Sequence, residues 1–303
     1  MSLAELIARG GPRVVEHAPF GARTTYRVGG TVRALVTLSS SDDLDELGPS
    51  MLDCGLEWCV IGNGSNLLVA DGEHDVLGVH LDGQFSDVAW RDEGGLIVVE
   101  AGAGLDLPVA ARRLASAGVV GFEWAVGVPG TIGGAVVMNA GGHGSNMAAS
   151  VHAVRAWGAD GTRTWTADEL GFGYRTSALG AAGVVTSATL HLARGDVDAA
   201  QREIREIVRW RRAHQPGGAN GGSVFQNPEG DHAGRLVEEA GCRGLRVGSA
   251  RVSEKHANFI IADAHGSADD VFELACVVRR RVVERTGVEL RSEHRFLGFG
   301  ALG

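Results

Sequence analysis

Gly127-Val-Pro-Gly130-Thr-Ile-Gly133-Gly134-Ala135, continuing to Asn139-Ala-Gly-Gly142, decides how this chain is read. Five residues between Gly127 and Ala135 carry no side chain or only a methyl group. Such a path can lie flat against a planar ring and its diphosphate, because backbone can approach a ligand closely where no Cβ intervenes. A purely structural loop is the alternative. From Trp124 to Val154 there is no Asp, Glu, Lys or Arg. A membrane span is excluded all the same: Pro129, Asn139, Asn146 and seven glycines would break the internally satisfied helix that lipid demands. The stretch reads as backbone packed against something large and partly apolar.

A second loop of this kind lies upstream. The apolar run Trp58-Cys-Val-Ile61 leads straight into Gly62-Asn63-Gly64-Ser65-Asn66. Glycines there let backbone N–H groups converge on an anion, and Ser65 and Asn66 add donors. This is not the Rossmann fingerprint, whose third glycine would fall at Leu67. A lone G-x-G also fits an ordinary tight turn. Two separated loops suggest an extended dinucleotide, longer than a single phosphate.

Composition bounds the remaining choices. Of 303 residues, 46 are glycine, roughly double the usual share. At 44% hydrophobic and 21% charged the chain is not disordered, and the glycines follow no collagen period. The length suggests two or three domains. A net charge of −9 without a basic tract argues against nucleic acid as a partner. Cys54, Cys59, Cys242 and Cys276 form no C-x-x-C pair, and no apolar run follows a basic start at Met1-Ser2-Leu3. Reduced thiols in a cytoplasm are expected, with Cys54 and Cys59 as small buried hydrophobes and no metal site.

Strands are expected at 32–38, 58–61, 76–81, 96–101, 151–157 and 184–192, with a turn over 158–161. Ser41 is expected to cap a short helix at 42–47. Asp106-Leu-Pro108 opens a helix that runs to Ala117 and stops at Gly118. Residues 198–213 read as an amphipathic helix with Ile204, Ile207 and Val208 on one face and arginines on the other. Gln215–Gly222 reads as a flexible linker and candidate boundary. Beyond it come a helix at 232–240, a strand at 258–262 and a long helix at 268–286. Ser267 caps that last helix, and Val271, Leu274, Ala275, Val278 and Val282 form its buried stripe.

Three polar clusters follow the loops: Tyr174-Arg175-Thr-Ser177, Gly222-Ser223-Val-Phe-Gln226-Asn227-Pro228 and Ser292-Glu293-His294-Arg295. Each alone is unremarkable as a turn or a solvated end. A hydrolase use of Ser223 is set aside, because Gly221-Gly-Ser-Val-Phe225 has Phe where a nucleophile elbow needs Gly.

Taken in order, these clusters become specific. Thr24-Thr-Tyr-Arg-Val-Gly-Gly30, the 62–66 loop, Gly127 to Gly142, Tyr174 to Ser177, Gly222 to Pro228, Lys255-His-Ala-Asn-Phe259 and Glu293-His-Arg-Phe-Leu-Gly298 together resemble the UDP-N-acetylenolpyruvoylglucosamine reductases, over about residues 18–300. The resemblance is to the short form, without the middle-lobe insertion.

The resemblance implies an α+β protein: a two-lobed FAD-binding fold of the vanillyl-alcohol-oxidase type plus a C-terminal α/β substrate lobe. Its lobes would be 1–82, joined by 293–303, then 83–205, then 206–292. FAD would be held non-covalently by Gly62, Asn63, Gly64, Ser65, Asn66, Gly127, Pro129, Gly130, Thr131, Gly133, Gly134 and Asn139. NADPH would reduce the flavin and leave. A UDP-sugar would then enter the same cleft, taking a hydride at C3 of its enolpyruvyl group and a proton at C2. Arg175 matches the family's carboxylate-binding arginine, Ser223 its proton donor and Glu293 its acid. Tyr174, Asn227 and the only lysine, Lys255, match substrate contacts. A cytoplasmic enzyme without membrane insertion, monomeric or weakly oligomeric, is implied.

Three positions depart from the pattern: Gln226 stands where a Lys is frequent, His294 where a branched aliphatic is usual, and Gly142-His143 where a small residue and an aromatic are common. Gln226 and His143 leave a second expectation, a flavin oxidase of the same superfamily with His143 carrying the flavin covalently. A non-catalytic nucleotide-binding module is the third; Arg175, Ser223 and Glu293 together argue against it.

Overall fold

The computed structural model describes residues 2–180 and 183–300. Helices and sheets mix along the chain in an α+β arrangement. By internal packing the chain divides into two compact units. One takes the chain up to Val15, Leu35–Gly62 and Leu77–Arg211; the other takes Glu16–Ala34, Asn63–Val76 and the chain from Arg212 on. The last passage, between Arg211 and Arg212, lies just ahead of the expected linker.

The first unit is built on an antiparallel sheet of order Gly161–Thr166, Val151–Gly158, Val184–Arg194, Leu96–Gly102, Val88–Glu93, with Val119–Val120 also pairing Val184–Arg194. The long central strand buries Val184, Val185, Ala188, Leu190 and Leu192. The helix Leu107–Ser116 buries Leu107, Ala110, Ala111, Leu114 and Ala115. Pro108 sits in its first turn and Gly118 follows its end at φ +70°, the expected asymmetry. Its carboxylate makes no cap bond; the Asp106 carbonyl instead takes the amides of Val109 and Ala110.

In the second unit the helix Ala268–Thr286 buries Ala268, Val271, Leu274, Ala275, Val278 and Val282, which includes the whole stripe read from the sequence. Ser267 Oγ accepts from the amides of Asp269 and Asp270, and Gly287 closes the helix at φ +74°. The helix packs on the antiparallel strands Arg246–Val247, Ala250–Val252 and Ile260–Ala262 and on the helix Ala233–Glu239. Leu274 is wholly buried, so Leu274→Ala is expected to cost about 2–5 kcal/mol by loss of apolar burial and the cavity left behind. A urea midpoint unchanged from wild type would contradict that packing.

Several local expectations need correction. Ser40, not Ser41, caps the early helix, in a capping box with Asp43. That helix runs over Ser41–Asp53, through Pro49, because Leu44, Leu47, Ser50 and Met51 bury one face and that burial outweighs the lost N–H. The helix Leu3–Gly10 and the strand Val88–Glu93 had no place in the sequence reading. The glycine-rich run is not loop throughout: Ile132–Val137 is helical, with Thr131 as its cap. No helix among the described residues is long and apolar enough to cross a membrane.

Candidate active site

In the first unit Gly62, the opening residue of the upstream loop, meets the longer glycine-rich run. A Cβ on Gly62 would lie 2.4 Å from Thr131 Oγ1, so only glycine fits at position 62 beside Thr131. Around Thr131 the chain is pinned by Leu107 N–H to Gly130 O (2.9 Å), Ile132 N–H to Leu105 O (2.9 Å) and Gly133 N–H to Ala103 O (2.8 Å). Gly130 has φ +127°, a conformation that L side chains rarely adopt. Among the described residues, no backbone carbonyl takes the amides of Gly130 or Thr131, although both residues are buried. Buried donors are normally paired, and donors left over at a side-chain-poor path are what a dinucleotide diphosphate needs.

Arg175 is fastened to this path. Its Nη2 donates to Gly141 O (3.2 Å) and its Nη1 lies 3.5 Å from Asn139 O. The guanidinium carbon stands 5.4 Å from the Tyr174 ring centroid. Arg175 has φ +56° in the tight bridge between Gly173 and Thr176, a left-handed conformation that costs a non-glycine residue on the order of 1–2 kcal/mol. Ser177 Oγ donates to Val137 O (2.9 Å), sewing the same segment down. Asn139, expected to face the cofactor, spends its side chain on the protein: Oδ1 accepts from Ala148 N–H (3.0 Å) and Nδ2 donates to Gly173 O (2.8 Å). Tyr174 is 58% exposed and available to a ligand.

His143 projects from the end of this run. Its ring meets Trp210 edge-on at 5.2 Å, and a Cβ on Gly127 would collide with it. Burial, with help from Arg211, holds its pKa below the ordinary imidazole value. A cavity of about 530 Å³ in this unit is bordered by Glu123, Trp124, His143, Ser145, Ala200 and Glu203. Of the residues expected at the site from sequence, His143, the flavin carrier of the oxidase reading, borders it, and those of the reductase reading do not.

The second unit holds the rest of the constellation. Gly64, at φ +58°, packs under Thr24, where a Cβ would stand 2.6 Å from the Thr24 Cα. Thr25 N–H donates to Gly64 O (3.2 Å). Asn66, expected at the flavin, also bonds within the protein: its Nδ2 donates to Glu293 O (2.9 Å), and its main-chain carbonyl accepts from Arg295 N–H (2.9 Å). The strands Leu67–Val69 and Arg295–Leu297 then pair in parallel.

Ser223 and Glu293 lie on neighbouring extended segments. Phe225 bridges Ser292, Glu293 N–H donates to Val224 O (2.8 Å), and Gln226 N–H donates to Arg291 O (2.9 Å). Both side chains are half-buried, and the Ser223 hydroxyl meets no partner among the described residues. Asn227, expected at the substrate, accepts at its Oδ1 from the Ala233 N–H (3.0 Å) and so fixes the start of the helix Ala233–Glu239. Lys255 is exposed, its ammonium resting on the Arg212 carbonyl.

His294 escaped assignment from sequence. It is 6% exposed, its Nε2 lies 3.0 Å from Gly221 O, and its ring meets Tyr26 edge-on at 5.6 Å. Burial drives its pKa down to about 4, against a smaller lift from the Gly221 carbonyl. The unfolded chain therefore binds this proton more tightly than the native one. Stability is full above pH 6.5 and falls as the pH drops toward 4, a loss of about 3 kcal/mol. His294→Leu should flatten that part of the stability-against-pH curve; an unchanged curve in urea titrations would show that His294 does not carry it.

Residues 32–167 match the model of an FAD binding domain, and residues 214–297 match that of the UDP-N-acetylenolpyruvoylglucosamine reductase C-terminal domain. The chain is 39% identical to the UDP-N-acetylenolpyruvoylglucosamine reductase of Acidiphilium cryptum over 293 residues, 96% of this chain and 93% of that one. It is 40% identical to that of Moorella thermoacetica, over 95% and 94% of the two chains. The crystal structure of UDP-N-acetylenolpyruvylglucosamine reductase from Thermus caldophilus superposes with a TM-score of 0.78 at 36% identity, covering 94% of this chain and 98% of that one. FAD is thus the cofactor, and the glycine path with its spare amides suits it. An FAD-binding domain joined to this C-terminal domain, in a chain alike from end to end, makes the protein an oxidoreductase and a member of the UDP-N-acetylenolpyruvoylglucosamine reductase family.

Proposed function

We propose that this chain reduces the enolpyruvyl group of UDP-N-acetylglucosamine enolpyruvate to UDP-N-acetylmuramate, with NADPH as reductant, in peptidoglycan precursor synthesis. The observation that carries the reading is Arg175, locked in a left-handed conformation and tied to the carbonyls of the glycine-rich run. A guanidinium fixed beside a flavin path suits a substrate whose carboxylate must take up negative charge.

When bound, FAD would supply hydride transfer between NADPH and C3 of the enolpyruvyl group. We assign Gly62–Asn66 and Gly127–Gly134 to holding it, mainly through backbone, since Asn66 and Asn139 have their side-chain amides engaged elsewhere. Arg175 grips the substrate carboxylate in a fork and stabilises the enolate that forms as hydride arrives. Ser223 delivers the proton to C2, and Glu293 assists at the carboxylate, directly or through an ordered water. Tyr174, Lys255 and the Asn227 amide N–H₂ contact the sugar nucleotide. The four free thiols suit a cytoplasmic location. The lobe division 1–82 with 293–303, 83–205 and 206–292 accompanies this reading, as does a monomeric or weakly oligomeric state.

The experiment is stoichiometric. Turnover of the flavin-loaded protein should consume one NADPH per enolpyruvyl sugar nucleotide and give a product heavier by two hydrogens. NADPH oxidation coupled only to oxygen, with the sugar nucleotide recovered intact, would instead support the oxidase.

A further inference from the structure

We propose that His294 is a positioning residue: its imidazole N–H ties the Gly221 carbonyl, and with it the approach to Ser223, to the segment that carries Glu293. The proposal rests on the reading of Ser223 as proton donor. A carbonyl only accepts, so Nε2 is the protonated nitrogen and Nδ1 is bare.

The two sides of Ser223 are held very differently. After it, Val224 N–H donates to Asn258 O (2.9 Å), Phe225 N–H donates to Asn258 Oδ1 (3.0 Å), and Asn258 Nδ2 returns a bond to Phe225 O (2.8 Å). Before it stand two glycines, the residues with most backbone freedom. Gly222 has φ +83° with open space where a side chain would be, and its amide makes only a local bond to Asn220 Oδ1 (3.1 Å). The bond from His294 joins Gly221–Gly222 to a distant part of the chain, and the buried Tyr26 phenol also lies against the Gly221 backbone.

The imidazole is itself fixed. Ser292 Oγ accepts from the His294 main-chain N–H (3.0 Å), holding the backbone that carries the ring, and Tyr26, fully buried, walls one edge of the imidazole. A Cβ on Gly221 would stand 2.6 Å from Tyr26 Cε2 and 2.9 Å from His294 Nε2, so the carbonyl reaches the ring only because residue 221 is glycine. An aliphatic side chain at 294 could fill this space but would leave the Gly221 carbonyl with no donor.

The test uses the full flavin-loaded chain and stopped-flow spectra of both half-reactions. His294→Leu should be bleached by NADPH at the wild-type rate and reoxidised by the enolpyruvyl sugar nucleotide about 10- to 100-fold more slowly, the usual consequence of a reacting group left loosely placed. His294→Gln, which keeps an N–H donor, should recover most of that loss. Adding His294→Leu to Ser223→Ala should slow reoxidation no further, because the two act through one group. Wild-type reoxidation in His294→Leu, with Ser223→Ala slow, overturns the positioning role and leaves Ser223 standing. Wild-type reoxidation in Ser223→Ala overturns both. Equal slowing of the two half-reactions, or Gln as slow as Leu, reduces His294 to packing and also overturns the proposal. Should the Leu variant fail to fold, imidazole ¹⁵N spectra of the wild-type protein decide: a protonated Nε2 with bare Nδ1 is expected, and the opposite tautomer refutes the tie.

Discussion

Ser223→Ala is expected to leave flavin reduction by NADPH intact and to slow reoxidation by the enolpyruvyl substrate by about 10²–10⁴, the worth of a positioned proton transfer. A serine hydroxyl is a weak acid, but the carbon it faces is strongly basic once hydride has arrived. Its place in the structure suits that use. The hydroxyl is half-buried, meets no partner among the described residues, and follows Gly222, where a Cβ would meet open space. The separation of the two half-reactions is what matters. A variant slow in both has lost its fold or its flavin, and one fast in both removes Ser223 from the chemistry.

Arg175→Lys is the second large effect. The charge is retained, but the planar fork that can grip a carboxylate while bonding the Gly141 carbonyl is lost. Reoxidation should fall by about 10²–10³, the range seen when one preorganised donor to a developing oxyanion is removed. The loss should appear in the rate at saturating substrate, because the contact strengthens as the enolate forms. A lysine variant that merely binds substrate more weakly, with the saturated rate unchanged, would show that Arg175 serves recognition only.

The elements with strong local signals were legible in the sequence. The helix Ala268–Thr286 announced its cap and its stripe, and the helix opened by Asp106-Leu-Pro108 announced its first-turn proline and the glycine past its end. The glycine-rich run was legible as side-chain-poor backbone, while the tight fit of its Thr131 side chain against Gly62 was not. Its helical segment was not, because Gly133 and Gly134 are poor helix formers and the packing of Ile132, Ala135 and Val136 overrides them. What the sequence hid were side chains bonding to distant backbone. Asn66 to Glu293, Asn139 to Gly173 and His294 to Gly221 each span tens to hundreds of residues, and no periodicity reports such pairs. Three amides or rings that read as ligand contacts or as departures from a pattern thus turn out to brace the backbone beside the site. His294 carried one signal, a polar ring where an aliphatic is usual, and only its burial gave that signal meaning.

The visible spectrum of the purified protein tests the central claim most directly. A flavin spectrum is expected, with free flavin released on acid precipitation, bleaching on anaerobic addition of NADPH, and colour restored on adding the enolpyruvyl sugar nucleotide. A colourless protein that takes up no FAD, or a reduced flavin that the sugar nucleotide leaves bleached, would contradict the account.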